Sequence, residues 1–165
     1  MSADPPASVA AAAEHLRASA TVGELLGATA RAFVDVLDAP ACTISRVIGN
    51  LLVDLVAHQR AGKPDRLGHG YPISDYPLTR MVIERREPRS VDAGDADADP
   101  AETSLLHELG FDSLLMLPIE AEDSAWGLVE VYANDRRFEA ADVAVARALV
   151  AEVDDVLELL GRTAH

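Results

Sequence analysis

Residues 111–132 read FDSLLMLPIEAEDSAWGLVEVY. Leu114 to Leu117 is an unbroken apolar run, closed by Pro118 and Ile119. Such a run suits a strand covered on both faces. The acidic hexad 120–125 has the composition of a turn. Trp126 to Tyr132 is rich in large, aromatic and β-branched residues, as a second strand would be. Two strands this close in sequence pair most simply as an antiparallel hairpin. The hairpin is expected at the centre of a sheet that the remaining chain covers.

Outward from that centre, other elements announce themselves by spacing. Upstream, Ala101 to Leu109 reads as a short helix stopped by Gly110. Arg89 to Val91 reads as a short strand after the break at Glu87-Pro88, and Pro77 to Arg86 as a helix with Ser74 or Asp75 as its cap. Tyr71 to Ile73 could add a short strand. Gly49-Asn50 lies between two apolar runs, Ala41–Ile48 and Leu51–His58, which is a hairpin signal. In the second run Leu51, Val53, Leu55 and Ala57 share a purely apolar face, opposite Asp54 and His58. Further back, Thr21 and Glu24 have capping-box spacing. Val22, Leu26, Thr29, Phe33 and Val36 then form one helical stripe, widened by Leu25, Ala32 and Leu37. Ala10 to Ser19 is helical by propensity. Downstream, Asn134-Asp135 reads as a turn before a long helix from about Glu139 to Leu160.

Composition bounds the class. A chain of 165 residues with 49% apolar content is expected to form one domain, here residues 9–162 after a flexible segment 1–8. Twenty-eight acidic residues against 14 basic ones give a net charge of −14. That charge opposes nucleic acid and anionic membranes, which need a basic surface. The start of the chain lacks the pattern of a secretory signal, and no apolar run approaches a membrane span, so a cytoplasmic location is expected. Cys42 is the single cysteine, which excludes an intramolecular disulfide and cysteine-rich metal sites.

Read together, Glu87-Pro88 before a strand, Asp112-Ser113-Leu114-Leu115 leading to Leu117-Pro118-Ile119, Trp126-Gly127-Leu128-Val129, and Phe138 followed by Asp142 resemble a GAF domain, a small-molecule-binding regulatory module. The similarity runs from about residue 20 to about residue 160 and rests on order and spacing, since no one piece is specific. It implies an α+β, PAS-like fold: a twisted antiparallel sheet of five or six strands. Two or three long helices would pack on one face, and short helices and loops would cover a pocket on the other. Gly127, Val129 and Val131 would then face the long helices, with Gly127 allowing close helix approach. Trp126, Leu128, Glu130 and Tyr132 would face the pocket with Asp54 and His58. The roof segments would bring Tyr71, Tyr76, Arg80, Thr103 and Ser104. The expected ligand-binding set is therefore His58, Tyr71, Tyr76, Arg80, Thr103, Trp126, Glu130 and Tyr132. Glu130 stands out, because a carboxylate in a strand fit for burial must be paired or change its pKa. The competing reading puts it at a solvated rim.

Several chemistries are weighed against plainer readings. Asp95, Asp97 and Asp99 copy part of a calcium loop, but Pro100 and Leu106 occupy positions that need Gly and Glu, so no metal site is expected. His58, His69 and His107 have no ligand spacing, and haem held by one of them stays open only as the weaker alternative. Covalent bilin is not expected, since bilin-carrying relatives use a cysteine in the pocket loops. The cyclic-nucleotide branch's Asn-Lys-Phe-Asp-Glu motif is missing. Gly62-Lys63-Pro64 and Gly68-His69-Gly70 fit no phosphate loop. The free methionine sulfoxide reductases of this family use several thiols, and one cysteine cannot both attack and resolve. The expectation is a non-enzymatic sensor that binds a small molecule, of unidentified ligand and cofactor, signalling through its terminal helices. The alternative is an interaction or homodimerisation module with a filled pocket. A homodimer is expected through the two long helices, from the 149, 153, 156, 160 seam and the Val143, Val150, Leu157 line. Otherwise the sheet and the Ala10–Ser19 segment absorb that surplus.

Overall fold

The computed structural model describes residues 8–61 and 68–163, so the expectations for residues 1–7 and for Gly62-Lys63-Pro64 lie outside the described residues. In chain order the elements are α1 (Val9–Arg17), α2 (Val22–Leu37), β1 (Ala41–Ile48), β2 (Leu51–Gln59), β3 (Gly70–Pro72), α3 (Pro77–Arg85), β4 (Arg89–Asp92), α4 (Pro100–Leu109), β5 (Ser113–Ala121), β6 (Ser124–Ala133) and α5 (Ala140–Thr163). A 3-10 turn covers Ile73–Asp75. Six strands form one antiparallel sheet in the order β3-β2-β1-β6-β5-β4, so the β5–β6 hairpin lies inside it. As its apolar run requires, β5 is buried from Ser113 to Ile119. The hairpin turn is tighter than the acidic hexad suggests. Ala121 pairs with Ser124, leaving Glu122 and Asp123 as a two-residue loop with φ of 52° and 62°. Positive φ at both positions matches the right-handed twist of the flanking strands.

One face of the sheet carries α1, α2 and α5. Phe33, Leu149 and Val153 meet Leu115, Leu117, Ile119, Val129 and Val131 there. The other face carries α3 and α4, where Val82 and Leu106 meet Leu114, Met116, Leu128 and Tyr132. The cap of α2 forms as its spacing predicts. Thr21 Oγ1 accepts the Glu24 N–H at 3.1 Å, and the Glu24 carboxylate accepts the Ala20 N–H at 2.8 Å. Thr21→Ala should therefore lower stability by about 1 kcal/mol in urea denaturation. The cap of α3 differs from expectation: Tyr76 holds that position with no side-chain bond, and Ser74 instead pairs with Asn50 across the loop. Asp99, once counted toward a calcium loop, caps α4 by accepting the Ala101 and Glu102 N–H groups.

The seam expected to join two copies is used within one chain. Leu149 and Val153 are fully buried, and Val150, Val156 and Leu157 are buried beside them. Ala12 and Leu16 of α1 belong to the same core, so α1 takes up the surplus apolar width of α5.

Two β-bulges set which residues face which layer. In the β1–β2 pair, Ile44 opposes Val56 and Ser45 opposes Asp54, so Leu55 is the extra residue. An inserted residue reverses the alternation beyond it. Leu52 and Asp54 thus face α3 and α4, whereas Val56 packs on the three-helix side. His58 opposes Cys42, a residue of that same helix-side core. The expected meeting of Leu51, Val53, Leu55 and Ala57 with the long helices is corrected accordingly, and Leu51 and Leu55 are 45% and 40% exposed. In the β5–β6 pair, Ile119 opposes Gly127 and Glu120 opposes Ala125, so Trp126 is the extra residue. Trp126 turns to the three-helix side. Gly127 serves strand approach and not helix approach: a Cβ there would sit 2.3 Å from the Ser45 carbonyl oxygen.

Candidate functional site

Alternation along β1, β2 and β6 brings Ser45, Asp54, Leu52, Glu130 and Tyr132 to the face under α3 and α4. The roof comes from Tyr71 on β3, Ile73 in the 3-10 turn, Tyr76 and Thr79 at the start of α3, and Glu102, Leu105 and Leu109 on α4. Two adjoining cavities of about 30 and 20 Å³ lie between floor and roof and share Tyr76, Thr79, Leu105, Leu109, Glu130 and Tyr132.

The polar groups in this layer are carboxylates and hydroxyls. Glu130 is 8% exposed and Glu102 4%. Ser45 Oγ donates to Asp54 Oδ1 at 2.7 Å. A hydroxyl has one proton. Glu130 Oε1 therefore faces the Ser45 oxygen, at 3.5 Å, without receiving that proton. Tyr132 OH donates to Glu130 Oε2 at 3.1 Å. Burial, helped by the charge of Asp54, pushes the Glu130 carboxyl up to about 8 against the lowering effect of the Tyr132 hydroxyl. Burial also raises the Tyr132 phenol well above its usual range, with Glu130 adding to it. Glu102 Oε1 accepts the Thr79 N–H at 2.8 Å and lies 3.3 Å from Thr79 Oγ1. Its other oxygen, Oε2, is buried with no hydrogen-bond partner among the described residues. Burial raises the Glu102 carboxyl as well, against the Thr79 N–H bond. The site is thus a small, acceptor-rich chamber with aromatic walls.

Of the eight residues singled out in the sequence, Tyr71, Tyr76, Glu130 and Tyr132 meet at these cavities. The solvated-rim reading of Glu130 is thereby excluded. The other four lie elsewhere. The two bulges place His58 and Trp126 on the opposite face. Arg80 is exposed and pairs with Glu84 one turn along α3, at 2.9 Å, so it does not meet Glu130. Thr103 bonds back to the Pro100 carbonyl in the first turn of α4. His69 and His107 are exposed.

Sequence reasoning placed Asp54 on the pocket face without singling it out as a ligand contact, and it missed Thr79, Glu102, Leu105 and Leu109. Asp54 carried a signal, a carboxylate inside an apolar strand. Glu102 carried none, since an acid in a helix's first turn is ordinary. A wider open groove of about 510 Å³ lies across the molecule between Val22, Arg46, Trp126, Leu157 and Arg162. Arg46 there is already engaged, 4.4 Å over the Trp126 ring and bonded to the Trp126 carbonyl at 2.7 Å. The groove's other polar residues, Glu122, Ser124, Glu158 and Arg162, are exposed, so nothing in it is held away from water.

Residues 21–154 match the family model of the GAF domain. No curated protein matches the sequence. Among solved structures, the fold is similar to the phycoerythrobilin-bound GAF domain from a cyanobacterial phytochrome, with a TM-score of 0.83 and 15% identity over 96% of this chain and 98% of that one. It is similar also to the chromophore-binding domain of an unusual bacteriophytochrome from R. palustris, with a TM-score of 0.83 and 12% identity. The match covers 95% of this chain but only 61% of that bacteriophytochrome chain. At such identities the likeness is one of fold.

Proposed function

This chain belongs to the GAF domain family, and from that premise we propose that it is a regulatory sensor module that binds a small molecule between its sheet and α3/α4. The observation that carries this reading is the pair of buried carboxylates, Glu102 and Glu130, bordering cavities that the fold leaves under its short helices. A ligand favouring one arrangement of that roof would shift an equilibrium felt by the rest of the domain. The cavities as they stand are far smaller than a bilin, and Cys42 is buried on the other face, which supports a smaller, non-covalent ligand. Binding to the native state alone raises the thermal midpoint, by about 2.7 kcal/mol of stability at 100 times Kd. A panel of small molecules should contain one that does so, with the effect abolished by Leu109→Trp. A panel of varied charge and size that never moves the midpoint would sink the reading.

The protein acts without catalysis. Burial raises the Cys42 thiol well above its usual range, which opposes thiolate chemistry. Free methionine sulfoxide with a thiol reductant should therefore show no turnover; turnover abolished by Cys42→Ser would overturn this.

A second reading has its own support. Cavities of about 30 and 20 Å³ admit little more than a water each, as in a module whose pocket is filled by its own side chains. Such a module would act by pairing with itself or another chain, in the cytoplasm. A homodimer would need residues other than the buried seam, such as Leu159, which is 57% exposed on α5. Light scattering showing a mass near twice 17.5 kDa, halved by Leu159→Glu, would favour it.

A further inference from the structure

We infer that the chamber between the sheet and α3/α4 takes a small protonated amine, ammonium or a short primary alkylammonium, held by Glu102 and Glu130. This rests on the sensor reading and narrows it to one class of ligand. Glu102 Oε2 is the first argument. A buried carboxylate oxygen without a donor is costly, and the described residues supply none. With no described residue to answer it, a ligand, water included, would satisfy it there. The charge of the chamber is the second. Its described lining residues include Asp54, Glu102 and Glu130, with no Lys, Arg or His among those described. An anionic ligand would meet the charge of these acids, and the hydroxyls of Ser45 and Tyr132 already donate to Asp54 and Glu130. An ammonium group is donor-only, with up to three protons to share.

Size and shape make the choice narrower. Cavities of about 30 and 20 Å³ suit a ligand of very few non-hydrogen atoms. A bare metal ion fits less well, because no three of the described His, Cys, Asp and Glu residues are grouped closely enough to hold one. The half-buried Tyr71 and Tyr76 rings meet edge to face, 6.2 Å apart, at the wall of the larger cavity. Aromatic faces attract an ammonium group.

Binding should release a proton. Glu130 is held largely protonated at neutral pH by burial and by Asp54. The groups facing or influencing it are Tyr132 on its own strand, Ser45 and Cys42 on β1, Asp54 on β2, Tyr76 and Thr79 at α3, and Glu102 on α4. None is a cation. An arriving ammonium would keep its own protons and displace the one on Glu130 to water, so affinity should rise with pH until Glu130 is ionised in the free protein.

Calorimetry and thermal melting of the full chain with methylammonium chloride test this, against potassium chloride, tetramethylammonium chloride, sodium formate and acetamide at matched ionic strength. Methylammonium should bind saturably at pH 8.5 and about tenfold or more weakly at pH 6, releasing close to one proton at pH 7. Glu102→Gln should weaken it at least tenfold with the circular dichroism spectrum unchanged. A methylammonium effect no larger than that of potassium chloride overturns the proposal. If formate or acetamide then binds saturably, and Leu109→Trp blocks it, the sensor reading survives with another ligand class. If no probe binds, the filled-pocket module takes the place of both.

Discussion

Glu130→Gln should make the protein more stable in mild alkali, by on the order of 4–5 kcal/mol above pH 8, and leave it nearly unchanged at pH 4. The carboxyl moves from an ordinary 4.5 to about 8 on folding, chiefly through burial. Between those values the folded state binds more protons than the unfolded one. The contribution is therefore fully present below pH 4.5 and is lost as pH rises through 8. At about 1.4 kcal/mol for each tenfold change in proton affinity, the rise corresponds to the magnitude given. Glutamine cannot ionise, and its carbonyl oxygen can still accept the Tyr132 hydroxyl. Asp154 adds a parallel decline with pH, since burial lifts its carboxyl to about 7. It is present in both proteins, so the difference between their urea midpoints from pH 4 to 9 isolates Glu130. Two parallel curves would show that Glu130 does not titrate abnormally.

Gly127→Ala should lower stability by about 3 kcal/mol, the upper end of the usual overpacking range. The added methyl would lie 2.3 Å from the Ser45 carbonyl oxygen and 3.4 Å from its carbon. Both are backbone atoms of β1, a strand paired on both sides and hence poorly able to move. The same residue's hydroxyl holds Asp54, so the strain reaches the candidate site through Ser45. The urea midpoint should fall, and the pH dependence assigned to Glu130 should shrink as water reaches the loosened layer. A loss under about 1 kcal/mol would mean that the Trp126 bulge yields without strain.

Much of this protein was set locally. The apolar run of β5, the Thr21–Glu24 cap, the stripe of α2 and the stop at Gly110 each follow from neighbours in the chain, and so does the hairpin between β5 and β6. Together with the spaced motifs they sufficed to indicate the GAF fold. Tertiary structure alone decided the faces. Alternation with a period of two holds only until a residue is inserted, and insertion is a property of strand pairing. Leu55 and Trp126 look like ordinary strand residues in sequence, yet as bulges they carry His58 and Trp126 itself away from the site. The burial of Glu130 likewise depends on α3 and α4 folding over it, and its companion Glu102 arrives from 28 positions away. The stripe of α5 was legible, but not its partner, because an apolar face reads the same whether α1, the sheet or a second chain covers it.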